Sequence, residues 1–149
     1  MSAMELQKIA DRIVQMFGDR VRDVIDFRGQ LTVIVTKAVI LSMLAFLKDE
    51  PDLAFSHLAD LCGVDFGPSQ SPRFGVVYNL YSITHRHRIR SRAEVPADDC
   101  FIASAGALWP AAAWHERECY DMFGIVFTNH QDLRRVLMPE DWQGYPLRK

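Results

Sequence analysis

Within the seven residues from His115 to Asp121 stand a histidine, two glutamates, a cysteine and an aspartate, a density of titratable groups that invites acid-base or metal chemistry. His115-Glu116 begins like the zinc motif H-E-x-x-H, but Cys119 holds the place of the second histidine, and on a helix Glu118 and Asp121 point to another side. His57, His85, His87, His115 and His130 are scattered, with no Ser-His-Asp or Cys-His arrangement, and neither G-x-G-x-x-G nor a phosphate loop is present. The sequence therefore supplies no catalytic residue, no cofactor-binding residue and no metal ligand.

Cys62, Cys100 and Cys119 are odd in number and widely spaced without a C-x-x-C pair, which speaks against zinc and iron-sulfur sites. Reduced, mostly buried thiols of a cytosol-like compartment are expected. Arg86, Arg88, Arg90 and Arg92 alternate along a strand running from His85 and share one face with no acid between them. That row could bind phosphate, RNA or an acidic protein surface. RNA would want interleaved aromatic side chains, which the strand lacks. A solvated face that discourages edge pairing is the plain reading, and an acidic docking surface the functional one.

Glu116, Arg117 and Glu118 point about 100° apart on a helix, and Trp114, Cys119, Tyr120, Met122 and Phe123 fill the gaps between them. No face of that helix is simply wet or simply apolar, so contact on two sides is expected, with its own sheet and with a partner. Arg117 and Asp121 form an i, i+4 pair in the weaker orientation, contributing about 0.2 to 0.5 kcal/mol if exposed. The stretch that follows is rich in large side chains but broken by Pro139, Gly144 and Pro146, with no amphipathic period of its own. Met138, Trp142, Tyr145 and Leu147 would be its apolar anchors, and two aromatics alone represent roughly 8 to 12 kcal/mol of gross burial. The tail is expected to lie on another molecule, with Arg134, Arg135, Arg148 and Lys149 as polar clamps; folding back on its own domain is the alternative.

A chain of 149 residues and formal net charge -2 fits one compact domain, here 1–128 followed by the tail 129–149, with no global pull toward nucleic acid or anionic membrane. The polar N-terminus shows no leader, and the apolar stretch from Ala38 to Leu47 is far short of the roughly 20 residues of a membrane helix. Met4 to Phe17 reads as a surface helix with Met4, Ile9, Ile13, Met16 and Phe17 near one side, closed by Gly18. Val21 to Phe27 and Leu31 to Thr36 form a hairpin around Arg28-Gly29-Gln30, and Ala38 to Lys48 a helix covered by the sheet. Phe55 to Phe66 suits a helix or a strand. Phe74 to Thr84 and His85 to Val95 make a strand pair. A loop from Ser104 to Trp109 precedes a helix over about 110–123, opened by Pro110 and ended by Gly124. These elements make an α+β two-layer sandwich: a mixed, largely antiparallel sheet, helices on one face, and an extended, protruding C-terminal tail.

The run Glu116-Arg117-Glu118, two residues, Asp121-Met122-Phe123, six residues, His130, then Arg134 and Val136-Leu137 resembles the signature of the 30 kDa type subunit of proton-pumping NADH-quinone oxidoreductase, respiratory complex I. Met138-Pro139-Glu140-Asp141-Trp142 and Gly144-Tyr145-Pro146-Leu147-Arg148-Lys149 are similar to the same family, and the likeness is gap-free from Trp114 onward. Asn129 and Gln131 depart from the Gly and Pro more usual there. The resemblance implies a strand at the end of Phe55 to Phe66 and a cofactor-free structural subunit of the peripheral arm, which braces the 49 kDa type neighbour for electron transfer from NADH to quinone. FMN, iron-sulfur clusters and quinone would reside on neighbouring subunits. The complex would hold the chain on the cytoplasmic side of a bacterial plasma membrane, or the equivalent matrix side. By the same resemblance, the partner-binding or structural residues are Glu116, Arg117, Glu118, Asp121, His130, Arg134, Arg135, Met138, Trp142, Tyr145, Leu147 and Arg148. Related subunits occur in membrane-bound hydrogenases and in formate hydrogenlyase-like or F420-dependent complexes. A free-standing enzyme or an RNA-binding domain that uses the arginine strand is the alternative of another class.

Because no ligand spacing is present, the purified chain is expected to carry no cofactor. Elemental analysis and a visible spectrum check this, and stoichiometric iron, zinc or flavin would contradict it.

Overall fold

The computed structural model describes residues 3–149. The first two residues of the polar N-terminal run, and the side chain of Met4, lie outside that description. Helix α1 (Ala3–Phe17) buries Leu6, Ile9, Ala10 and Ile13, whereas Met16 turns out to solvent at 57% exposure. Strands β1 (Val21–Phe27) and β2 (Gln30–Thr36) are joined by Arg28 and Gly29, both in the left-handed region at φ 54° and 76°. Such a turn matches the right-handed twist of a hairpin. Helix α2 (Ile40–Asp49) buries Ile40, Met43, Leu44 and Leu47. β3 (His57–Asp65), β4 (Phe74–Ser82) and β5 (His87–Val95) then form the rest of the main sheet, in the order β1-β2-β5-β4-β3. Only β2 and β5 run parallel, so the sheet is mixed and largely antiparallel. Inward side chains of one sheet face, among them Val33, Leu61, Tyr78, Leu80 and Val95, merge with the buried stripes of all the helices into one core.

Two short strands, β6 (Phe101–Ala103) and β7 (Val126–Thr128), pair in parallel on either side of α3 (Ala112–Phe123). At three residues each they carry no alternation for a sequence reading to detect. Gly124 ends α3 in the left-handed conformation, φ 77°, with its N–H bonded to the Tyr120 carbonyl.

Several expectations are corrected. Residues 57–65 are a strand throughout, and a register shift between Leu58 and Asp60 brings Leu58 and Leu61 inward despite their helix-like spacing. Arg86 sits in the β4–β5 turn at φ 57°, leaving Arg88, Arg90 and Arg92 to share the outward face. Of the cysteines only Cys119 is buried; Cys62 is exposed on edge strand β3. The tail, which forms no helix or strand, does not protrude: its backbone is hydrogen-bonded along α3 and to the end of β3. No helix among the described residues is long and apolar enough to cross a membrane.

Helix α3 rests on β3 at Gly63, where an added Cβ would lie 2.7 Å from Phe123 Cδ2 and 2.8 Å from Cys119 Sγ. Gly63→Ala is therefore expected to cost about 1 to 3 kcal/mol by overpacking, read as a lower denaturation midpoint with secondary structure retained. A midpoint equal to wild type would contradict this close approach.

Candidate functional site

The carboxylates of α3 divide by facing. Glu116 is fully buried and accepts Ser104 Oγ–H at 2.6 Å and the Ala105 N–H at 2.7 Å, tying the turn after β6 to the helix. Burial pushes its pKa above the ordinary glutamate value, against the opposing effect of those donors and of His130. His130 Nδ1 accepts the Asp132 N–H at 3.0 Å, so the ring proton lies on Nε2, where it is donated to the Ala113 carbonyl at 2.9 Å. His130 thus closes the turn before the tail as a neutral imidazole. Glu118 is exposed.

Asp121, also fully buried, gathers the tail. Its Oδ2 accepts the backbone N–H groups of Val136, Leu137 and Met138 at 3.1, 2.7 and 2.8 Å, and its Oδ1 accepts Arg135 Nη1 at 2.7 Å. Burial is the largest single influence and raises its pKa, but Met138, Arg135, Leu137 and Val136 together outweigh it and hold the carboxyl below its ordinary value. Arg117 does not pair with Asp121 as its spacing proposed. It donates to the carbonyls of Arg134 and Arg135 at 3.2 and 3.1 Å and lies over the Trp114 ring. Arg135 reaches onward to the carbonyls of Trp142 and Gly144. Arg134 meets only Asp132, at the surface.

A second carboxylate anchors the far end. Asp65 binds Arg73 through both oxygens at 2.9 and 3.0 Å, and also accepts the N–H groups of Gly67 and Lys149 at 2.9 and 2.7 Å. The Arg73 hydrogen bond is the main reason its pKa lies far below the ordinary aspartate value. Arg73 also donates to the Lys149 carbonyl, so one ion pair grips both sides of that residue. Arg148 donates to the Phe123 carbonyl at 2.6 Å and lies over the rings of Phe74 and Tyr145. Tyr145 packs edge-on against Tyr120, and a Cβ on Gly124 would lie 2.6 Å from it. Met138 packs against the core.

The structure therefore brings Glu116, Arg117, Asp121, His130, Arg135, Met138, Tyr145 and Arg148 into one intramolecular network, and leaves Leu137, Trp142 and Leu147 exposed at 61, 48 and 54%. Asp65 and Arg73 escaped the sequence reading. The one local signal was an aspartate two residues before a glycine, the pattern of a side chain bonding its own turn. Burial raises all the thiols, the direction opposite to that of an attacking thiolate.

A family model described as the respiratory-chain NADH dehydrogenase 30 Kd subunit matches residues 33–149. The NADH-quinone oxidoreductase C-type polypeptide of Geobacter metallireducens is 46% identical over 145 residues, covering 97% of this chain and 88% of its own. Its namesake from a Roseiflexus species is 44% identical over 147 residues, 99% and 84% of the two chains. Among solved structures, a trypsin-resistant fragment (1-134) of Nqo5 superposes with TM-score 0.74 at 30% identity, over 86% of this chain and 98% of that one. A chain of a membrane-bound sulfane sulfur reductase, an archaeal respiratory membrane complex, shares the fold with TM-score 0.78 at 20% identity, covering 97% and 84%.

The carboxylates give the site a pH dependence of defined sign. Asp65 and Asp121 titrate in the folded chain below the unfolded value, so each adds stability that is fully present above about pH 4 and lost as the pH falls through the folded pKa. Glu116, raised, works in reverse: its favourable share is present below about pH 4 and lost as the pH rises through the folded value. Asp121→Asn, which leaves Arg135 facing an uncharged group, is expected to lower stability at neutral pH by about 3 kcal/mol in urea unfolding. The gap should narrow toward pH 3, where about nine in ten unfolded aspartates are protonated. A gap independent of pH would show that the charge of Asp121 does not contribute.

Proposed function

The chain belongs to the 30 kDa subunit family of respiratory-chain NADH dehydrogenase, and from that membership we propose a non-catalytic structural role in the peripheral arm, bracing the 49 kDa type subunit. FMN, iron-sulfur clusters and quinone are then the business of its neighbours, and the complex holds this chain at the membrane, on the cytoplasmic or equivalent side. Its contribution to turnover is positional, since electron-transfer centres need rigid supports.

The observation that carries this reading is the division of labour in the tail. Backbone groups and arginines face inward to Asp121, Asp65 and the end of α3, while Leu137, Trp142 and Leu147 face solvent. Trp114, 63% exposed under the Arg117 guanidinium, adjoins the start of the same segment. Large apolar side chains held out by an ordered backbone are what an interface needs: their ordering cost is met inside the free chain, and burial in a partner returns their area. Arg134 and Glu118 flank them as exposed charges suited to an interface rim.

Replacing Leu137, Trp142 and Leu147 together by alanine should leave circular dichroism and the unfolding midpoint near wild type. Co-purification of partner subunits from mild-detergent membrane extracts should fall sharply, with residual NADH:quinone activity tracking the amount of assembled complex. Normal assembly of the triple variant would remove this surface from the interface, and fully assembled complex with little turnover would give the chain a direct part in the chemistry.

A further inference from the structure

Where the β1–β2 and β4–β5 turns come together, two adjoining cavities of about 430 and 380 Å³ open on either side of Gln30, Tyr81 and Arg88, which line both. Arg28 and Arg86 complete the charge of the first, and Arg90 with His57 that of the second; no carboxylate lines either. The chain as a whole carries a formal charge of -2, so four arginines without an acid are a local departure. Arg28 and Arg86 are delivered by left-handed backbone, φ 54° and 57°, a conformation bulky residues adopt at a cost.

The guanidinium groups are positioned but not neutralised. Arg88 lies over the ring of Tyr81, its partner across the ladder, at 5.2 Å. Arg90 donates from Nε to the side-chain oxygen of Asn79, also directly opposite, at 3.1 Å, which leaves its outer N–H groups unspent. Among the described residues none of the four arginines forms an ion pair.

We propose that this groove binds an acidic polypeptide segment, at a surface distinct from the tail. Arg88 and Arg90 project from alternate positions of one strand, about 6.6 Å apart, which is the spacing of alternate carboxylates in an extended chain and close to the 6 Å rise between positions i and i+4 of a helix. Forked guanidinium groups match carboxylates in two-point contact, and the Gln30 and Asn79 amides can meet peptide groups between them. A nucleic acid is disfavoured because the rings it would stack on are covered, Tyr81 by Arg88 and Phe27 by Arg28 at 5.1 Å. The charges line recesses, which a side chain enters and a flat bilayer does not.

The test is fluorescence anisotropy of the full chain with a labelled peptide bearing glutamate at every second position, beside an oligouridylate and phosphatidylserine vesicles. The peptide should bind with an affinity that falls as salt rises. Arg88→Glu with Arg90→Glu should weaken it about tenfold or more, while the charge-matched pair Lys8→Glu with Arg20→Glu stays within about twofold of wild type. Should the double reversal fail to fold by circular dichroism, Arg88→Gln with Arg90→Gln serves in its place and should again weaken binding. No peptide binding at low salt, equal loss in both charge-matched pairs, or tighter binding to the RNA or the vesicles would each overturn the proposal.

Discussion

The fold of the last part of this chain depends on one carboxylate. Asp121, in the final turn of α3, offers two oxygens in a site closed to water, and three consecutive backbone N–H groups and one guanidinium come to it from the tail. A segment without amphipathic period has no other means of ordering, since it buries too little of its own surface. With residues 135–138 fixed, Arg135 collects the carbonyls of Trp142 and Gly144, and Tyr145, Arg148 and Lys149 dock on Gly124, Phe123 and Asp65 in turn. Asp121 itself is placed by the contact of α3 with β3, which the absent side chain of Gly63 permits.

Two buried ion pairs, Asp121 with Arg135 and Asp65 with Arg73, would be a doubtful source of net stability, because desolvation offsets most of what two charges gain in a low-dielectric site. Their value lies in geometry. Each carboxylate also accepts backbone N–H groups, so a tail shifted by one residue would leave a buried charge incompletely bonded, at a cost of several kcal/mol. The result is a single register for an irregular segment. Holding each backbone residue costs about 1 to 2 kcal/mol. With that ordering complete in the free chain, association has less left to order.

Much of the fold was legible because it obeys local rules: Pro110 and Gly124 bracket α3, Arg28-Gly29 turns the first hairpin, and β4 and β5 alternate inward and outward. β3 was ambiguous for a definable reason, as its register shift removes the alternation and leaves a three-residue spacing that imitates a helix. The residues of the site were legible as a cluster, since 116–121 are dense in charge, but their partners were not. Arg117 and Asp121 have helix-pair spacing, yet Asp121 found better donors in the tail, and Arg117 turned to carbonyls there. Asp65 meets Lys149 across 84 positions of sequence, a separation no local pattern encodes. The tail's apolar side chains were read together as outward anchors. Only tertiary contacts separate Met138 and Tyr145, turned to their own domain, from Leu137, Trp142 and Leu147, turned away.

Hydrogen exchange of the isolated chain, resolved to the amides of the tail, tests most directly that the tail is ordered before any partner arrives. The amides of Val136, Leu137 and Met138, bonded to Asp121, and those of Leu147 and Lys149 should exchange far more slowly than in an unfolded peptide, and Asp121→Asn should release the first group. Exchange of all these amides at unprotected rates in the folded wild-type chain would contradict the account, because order in the tail would then have to come from the partner.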